Sequence, residues 1–461
     1  MGDIKEKRSS GIDMLNGPLA KKLIVFALPI FASSSLQQLF NSADVAVAGR
    51  FAQDGALAAV GSNSVLVGLF VNLFVGLSVG ANVVISQFIG QQNVKDVKSV
   101  VHTSMLFSVL CGVFSAVAGI LLSRPLLELI DTPADVLDRA VVYLRIYCIG
   151  MPFIIPYNYG AAILRSIGDT KRPMFCLIGS GLLNVCLNLL LVIVFRLDVA
   201  GVAIATVVSN IFSSVVVIVI LCREKSIIHL DLKQLKIEGL ALKRILRIGA
   251  PAALQSAVFS LSNICLQSAI NGFGSDAVGG MTAALNFEMF AYFVVGAFNQ
   301  SAVTFIGQNY GACKYDRCKK IMRLCLLESV IGVVALCGIF IAGSSFLIKI
   351  YTVKPLEIEF AMVRILYILP FLFITTSYEI TGSALRGMGR SAVPAVITVV
   401  GVVVFRLIWV YLIFPYLGGS LFSLLIVYPI SWFITGGMML GYYAIAKKGI
   451  FFPHNYKEVG E

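Results

Sequence analysis

Long apolar runs, separated by short polar stretches rich in Lys and Arg, set the pattern of this chain. An α-helix needs ~20 mostly apolar residues to cross a hydrocarbon core, and each run supplies them. Twelve runs are read. They cover 21–50, 56–89, 98–123, 134–164, 173–196 and 199–222 in the first half, then 247–271, 277–310, 321–347, 358–385, 393–415 and 418–446 in the second. Several outlast the bilayer, so they tilt, kink or project from it. None alternates in the manner of a membrane β-strand, which excludes a barrel. The pattern predicts an all-α integral membrane protein. Its expected parts are a cytoplasmic segment 1–20, an N-lobe 21–222, a cytoplasmic linker 223–246, a C-lobe 247–446 and a cytoplasmic tail 447–461.

Composition narrows the picture. Of 461 residues, 58% are hydrophobic and 13% charged, against about 25% charged in soluble proteins. So few charges cannot clothe a water-soluble surface. Disorder, coiled coil, nucleic-acid binding and a secreted disulfide scaffold go with it. The net charge of +12 matters through its placement, because cytoplasmic loops collect Lys and Arg. With the N-terminus inside, the outer loops keep only Arg50, Arg124, Arg139, Arg196, Lys349 and Lys354 of 36 basic residues. Both termini are therefore expected in the cytoplasm. The first residues are polar and basic, with Lys21-Lys22 at the inner end of helix 1, and no signal peptide is expected. The ten cysteines are scattered. Cys313 and Cys318 share a loop without metal-finger spacing. The linker, with Arg223, Lys225, Lys233, Lys236, Lys243 and Arg244, reads as a solvated strand over anionic headgroups.

The two halves repeat. Leu164-Arg165-Ser166-Ile167-Gly168 with Pro173 matches Leu385-Arg386-Gly387-Met388-Gly389 with Pro394, a spacing of 221 residues. Gln87 and Gly90 match Gln308 and Gly311 at that spacing, and Pro29 and Asn41 match Pro251 and Asn263 at 222. Six helices return the chain to its starting side, so the halves share one topology, related by a pseudo-two-fold axis along the membrane normal. Such twinned lobes point to alternating access. No Walker A motif is present, so an ion gradient is the expected energy source.

Ionisable groups inside a membrane are functional candidates by default. Asp44, Glu288, Glu328 and Glu379 are the acids within the helices. Glu328 is close enough to the inner end of helix 9 to reach headgroups. Gln37, Asn41 and Asp44 share one face of helix 1. Asn184 and Asn188 share a face of helix 5, and Thr206 lies in helix 6. At ~1.5 Å per residue, Asp44 lies roughly 9 Å from the outer end and Asn188 and Thr206 roughly 12 Å. One carboxylate with amide and hydroxyl oxygens suits Na⁺, or a proton on Asp44. The competing reading is interhelical hydrogen-bond glue. Glu288 and Glu379 are candidates for a substrate cavity or a second coupling site, as are Gln37 and Asn41. Arg145, Arg364 and Arg406 also fall inside helices, the first two read as packing residues. Pro29 and Pro251 interrupt backbone hydrogen bonding and are candidate hinges.

With these residues in view, the sequence resembles the MATE family of multidrug and toxic compound extrusion transporters. The resemblance rests on Pro29, on Asn41-Ser42-Ala43-Asp44 through Gly49-Arg50, and on Leu57-Ala58-Ala59-Val60-Gly61. Ser86-Gln87-Phe88-Ile89-Gly90 and both Leu-Arg-x-x-Gly segments extend it over nearly the whole chain. It implies two six-helix lobes and antiport export of bulky, often cationic organic molecules against H⁺ or Na⁺. It also implies a bacterial-type inner membrane, no cofactor, no nucleic-acid partner and a monomer. Carried over, the family's first-lobe cation site falls on Asp44, Asn184, Asn188 and Thr206. Asn188 stands where many members have Asp, and the lost charge weakens a Na⁺ site. Glu288 resembles a pattern in some bacterial members. A lipid-linked saccharide flippase of the same superfamily is the alternative, and it needs an Arg/Lys-lined cleft where only three intrahelical Arg are available. An embedded enzyme lacks clustered groups, since His102, His229 and His454 are scattered. A channel would lack saturable counterflow.

Overall fold

A computed structural model describes residues 11–51, 56–130 and 132–451. Half of the expected N-terminal segment and most of the tail lie outside these residues, as do the side chains of Arg50, Leu57 and Ala58. Helices dominate, and no strand occurs among the described residues. The first half contains α1 (Leu19–Phe51), α2 (Ala56–Gly90), α3 (Val94–Leu129), α4 (Ala134–Ile149), α5 (Met151–Ser166), α6 (Lys171–Asn188) and α7 (Asp198–Arg223). The second contains α8 (Gly239–Asn271), α9 (Ser275–Gly311), α10 (Tyr315–Leu347), α11 (Pro355–Ile368), α12 (Thr375–Gly387), α13 (Ala392–Thr398), α14 (Phe405–Ile408), α15 (Leu421–Leu425) and α16 (Val427–Phe451). Among the described residues, eleven spans are long and apolar enough to cross a membrane, and the bent pair α4–α5 makes a twelfth. This is the two-lobe, twelve-helix architecture.

Local chemistry explains where spans depart from straight helices. The expected helix 134–164 breaks at Gly150 and bends by 49°. Pro152 stands at the start of α5, where its missing N–H is tolerated but a continuous ladder is not. A 3₁₀ stretch Leu369–Ile374, opened by Pro370, joins α11 to α12. The run 171–194 ends in a π-helical stretch, Leu189–Val194. Its counterpart in the second half carries two, Val399–Val404 and Trp409–Ile413, on either side of α14. Pro29 and Pro251 lie inside α1 and α8, which continue through them.

The repeat is visible in backbone detail. Gly168 has φ +90° and Gly389 has φ +84°, the left-handed conformation that ends a helix and that glycine adopts without strain. Asp169 N donates to Leu164 O (3.1 Å) and Arg390 N to Leu385 O (2.9 Å). Each Leu-Arg-x-x-Gly motif is thus one helix stop, made twice.

The chain forms two compact units. Within the described residues, the first holds 11–13 and 28–257 and the second 14–27 and 258–451. In the first, α2, α3, α4, α5 and α7 pack around a core that includes Leu144, Tyr147 and Val202. The opening of α8 belongs here. Ile245 and Ile248 are buried, and the Arg244 guanidinium lies over the Phe88 ring at 5.1 Å. In the second unit, α9 packs against α10, α11 and α12. The opening of α1 belongs to this unit. Phe26 meets Phe305 edge-on at 5.4 Å, and Asn309 Nδ2 donates to Met14 O (3.1 Å).

The segment between the halves differs from the solvated strand expected over 223–246. Helix α8 already begins at Gly239. Ile228 and Leu230 are buried. His102 Nδ1 lies 2.7 Å from Lys98 O, and its Nε2 accepts from Asp231 N (3.1 Å). Thr103 Oγ1 accepts from Glu238 N (3.1 Å). Two apolar side chains and these bonds outweigh solvation of the strand, so it docks on α3.

Candidate functional site

The first unit gathers four of the expected residues. Helix α6 sets Asn184 and Asn188 one turn apart on one face. Helix α7 brings Thr206 beside them, and α1, whose Phe40 ring packs against Gly181 of α6, brings Asp44. Asn188 Nδ2 donates to Asp44 Oδ1 (2.5 Å) and to Asn184 Oδ1 (3.2 Å). Asn184 Nδ2 donates to Thr206 Oγ1 (3.4 Å), and that hydroxyl donates to Val202 O (3.0 Å). Asn188 is 1% exposed, and its Oδ1 has no hydrogen-bond partner among the described residues. A buried acceptor left open beside a carboxylate is what a cation or an added proton satisfies. The donor set is one carboxylate, two amide oxygens and one hydroxyl. It fits a small hard monovalent ion better than a transition metal. The ring pair Tyr143 and Tyr147, stacked at 6.3 Å, lies within charge range of Asp44. The sequence pattern gave no sign of these two rings, because aromatic residues are common on buried helix faces.

Other expected residues are placed differently. Gln37 and Asn41, on the Asp44 face by spacing, are exposed. Both second-lobe acids lie in the second unit, each in its own network. Glu288 is not a lone acid, since Arg364 donates to its Oε2 from Nε (3.0 Å) and Nη2 (2.8 Å). Both residues are buried, at 2% and 4% exposure. Arg364 is therefore more than a packing residue. Glu379 Oε2 accepts from Asn299 Nδ2 (2.7 Å), whose Oδ1 accepts from Ser383 (2.6 Å), which accepts from Arg386 (3.4 Å). Asn299 and Ser383 escaped the sequence reading because polar uncharged residues are frequent in such helices. Glu328, expected at the headgroups, has both carboxyl oxygens buried without a hydrogen-bond partner.

Comparison with known proteins places this geometry. The sequence profile of the MatE family matches residues 29–190 and 251–412, one stretch in each half. The chain belongs to the MatE family. Asp44, Asn184 and Asn188 fall in the first MatE stretch, and Glu288, Glu379 and Arg406 in the second. The probable multidrug resistance protein YoeA of Bacillus subtilis is 27% identical over 444 residues, 93% of this chain and 94% of its own. The probable multidrug resistance protein NorM of Thermotoga maritima is 27% identical, with 84% of each chain covered. A solved MOP superfamily transporter from Pyrococcus furiosus has the same fold, with a TM-score of 0.90 at 20% identity, over 96% of this chain and 99% of that one. A multidrug resistance MATE transporter in an outward-facing conformation gives a TM-score of 0.88 at 21% identity, again over 96% and 99%.

Proposed function

We infer that this MatE protein is a secondary active exporter of bulky, often cationic organic compounds, exchanging them for H⁺ or Na⁺ at Asp44. The observation that carries the reading is the open Asn188 Oδ1 beside a carboxylate that accepts from the same amide. The named functions of its relatives, multidrug resistance and export, point the same way. In this reading Asp44 takes a proton or Na⁺ from outside. The incoming charge reverses what Asp44 asks of Asn188, from a donor to an acceptor. A flip of the amide sets its oxygen beside the ion or the new O–H. The rearranged α6–α1 contact favours helix 1 shifting at Pro29 and releases cargo outward. Membership of α1 passes from the second unit to the first between Ala27 and Leu28, beside Pro29, which supports a hinge there. Both termini face the cytoplasm, and 21–222 and 247–446 act as the N- and C-lobes.

Export of a fluorescent organic cation from proteoliposomes tests this, with ΔpH and ΔNa⁺ imposed one at a time. Asp44→Asn keeps the side-chain shape and removes the titrating group. We expect its gradient-driven export to fall to the leak rate at equal protein level. Undiminished export would remove Asp44 from the mechanism. Orientation has a separate test in Cys313, an exposed thiol between α9 and α10. A membrane-impermeant maleimide should reach it in inside-out vesicles and not in right-side-out ones.

A further inference from the structure

The second unit holds a buried cation that the mechanism above leaves unused. Arg406 is 1% exposed. Its Nε donates to Ser431 Oγ at 3.3 Å, and its Nη2 is buried without a hydrogen-bond partner among the described residues. The guanidinium lies over the Tyr428 ring at 4.5 Å and near the Phe259 ring at 5.8 Å. Arg364 approaches the same Tyr428 ring at 5.5 Å, and Glu288 is bonded to Arg364. The cluster thus holds two guanidinium groups and one carboxylate. A guanidinium does not shed its proton in a protein. Cation–π contact offsets part of its desolvation, but an unpaired donor in a dry interior still calls for a negative partner.

The repeat shows what kind of place this is. At the spacing of 221 that aligns Gly168 with Gly389 and Pro173 with Pro394, Asn184 corresponds to Phe405 and Asn188 to Trp409. Arg406 therefore lies next to the counterpart of Asn184, within the stretch that in the first unit holds the cation site. At the spacing of 222, Asp44 corresponds to Leu266, so the acid has no counterpart. The second lobe thus buries a positive charge in the span that matches α6 and has no acid at the counterpart of Asp44. Arg406 also sits on a four-residue α stretch between two π stretches, a local irregularity common at functional sites. An exchange of π for α register on either side would turn Arg406 by about 100°, the angle one residue occupies. That turn would swing the guanidinium off the Tyr428 face.

We propose that Arg406 is an anion-binding residue of the second lobe and receives the carboxylate of an aromatic cargo molecule. It rests on the reading of the protein as an exporter and narrows its substrate class to compounds that pair a cationic aromatic frame with a carboxylate. The Phe259 and Tyr428 rings beside Arg406 offer aromatic contact to such a frame, and the guanidinium fork matches a carboxylate.

The test uses purified full-length protein in proteoliposomes and two dyes, a rhodamine with a free carboxylate and its methyl ester. Both are measured on the same preparation under the same gradient. The readout is the ratio of acid export to ester export, which does not depend on the active fraction. We expect Arg406→Gln to lower the ratio roughly tenfold, the effect of losing one charge-assisted pair. Arg406→Lys, which keeps the charge and loses the fork, should fall between. An unchanged ratio in Arg406→Gln overturns the proposal, whether or not both rates drop together. Wild-type export of the ester but not the acid overturns it and leaves the exporter reading intact. Export of neither dye overturns both. A chloride requirement common to both dyes, absent in Arg406→Gln, would assign the site to a free inorganic anion and overturn the cargo assignment.

Discussion

The two lobes share a backbone plan and part company in their buried charge. In the first, Asp44 accepts from the Asn188 amide, which keeps an acceptor open next to it. In the second, Arg364 already neutralises Glu288, and Arg406 is left over. The contrast extends to the turn after each Leu-Arg-x-x-Gly motif. Asp169 there binds Arg172, which also reaches Glu224 (2.5 Å), while Arg390 stands in the place of Asp169. Apolar packing and glycine-ended turns fix the scaffold. The few polar side chains in its interior are free to differ, and they decide what each lobe can bind.

Breaking the second lobe's ion pair should give the largest effect. Arg364→Met strands a buried carboxylate and should cost ~3–5 kcal/mol, read as lost stability to chemical unfolding in detergent. Adding Glu288→Gln should restore most of it. A double variant as unstable as the single would mean that the pair does not isolate Glu288. Next comes a sharpening of the first lobe. Asn188→Asp adds a second charge to the site and should lower the Na⁺ concentration for half-maximal export by roughly tenfold. No response of that value to the new carboxylate would separate Asn188 from ion binding. Ser383→Ala removes the donor that orients Asn299 and should destabilise the fold by about 1 kcal/mol, without shifting ion dependence.

The smallest effect lies where α7 ends. Burial pushes the Glu224 carboxyl up, but the Arg172 hydrogen bond and charge outweigh it and hold the group below its ordinary value. A lowered carboxylate stabilises the fold above its unfolded value and loses that contribution as pH falls through the folded one. Glu224→Gln should therefore flatten the fall in unfolding temperature between about pH 5 and pH 3. The second lobe has Val393 in the place of Arg172, so it offers no matching pair.

The helices were legible because a hydrocarbon core demands long apolar runs. Asp44, Asn184, Asn188 and Thr206 were legible because polar groups stand out in such runs and helical spacing puts them on shared faces. What lay beyond reach depends on neighbours distant in the chain. Nothing local ties Glu288 to Arg364, since the pairing depends on how α9 and α11 face each other. The π stretches beside Asn188 and Arg406 carry no residue type that marks them in the sequence. Ile228 and Leu230 did mark the linker as something other than a solvated strand, but its basic residues dominated the reading. Spacing put Gln37 and Asn41 on the Asp44 face, and their exposure follows from which part of that face α6 and α7 leave uncovered.

The ownership of the opening stretches of α1 and α8 has a practical consequence. Each compact body is finished by a piece that chain order assigns to the other half. A polypeptide cut between Arg223 and Gly239 would give two fragments, each lacking the plug for its own groove and carrying the plug for the other's. Neither fragment should mature alone, whereas the two produced together can exchange those pieces and complete one another.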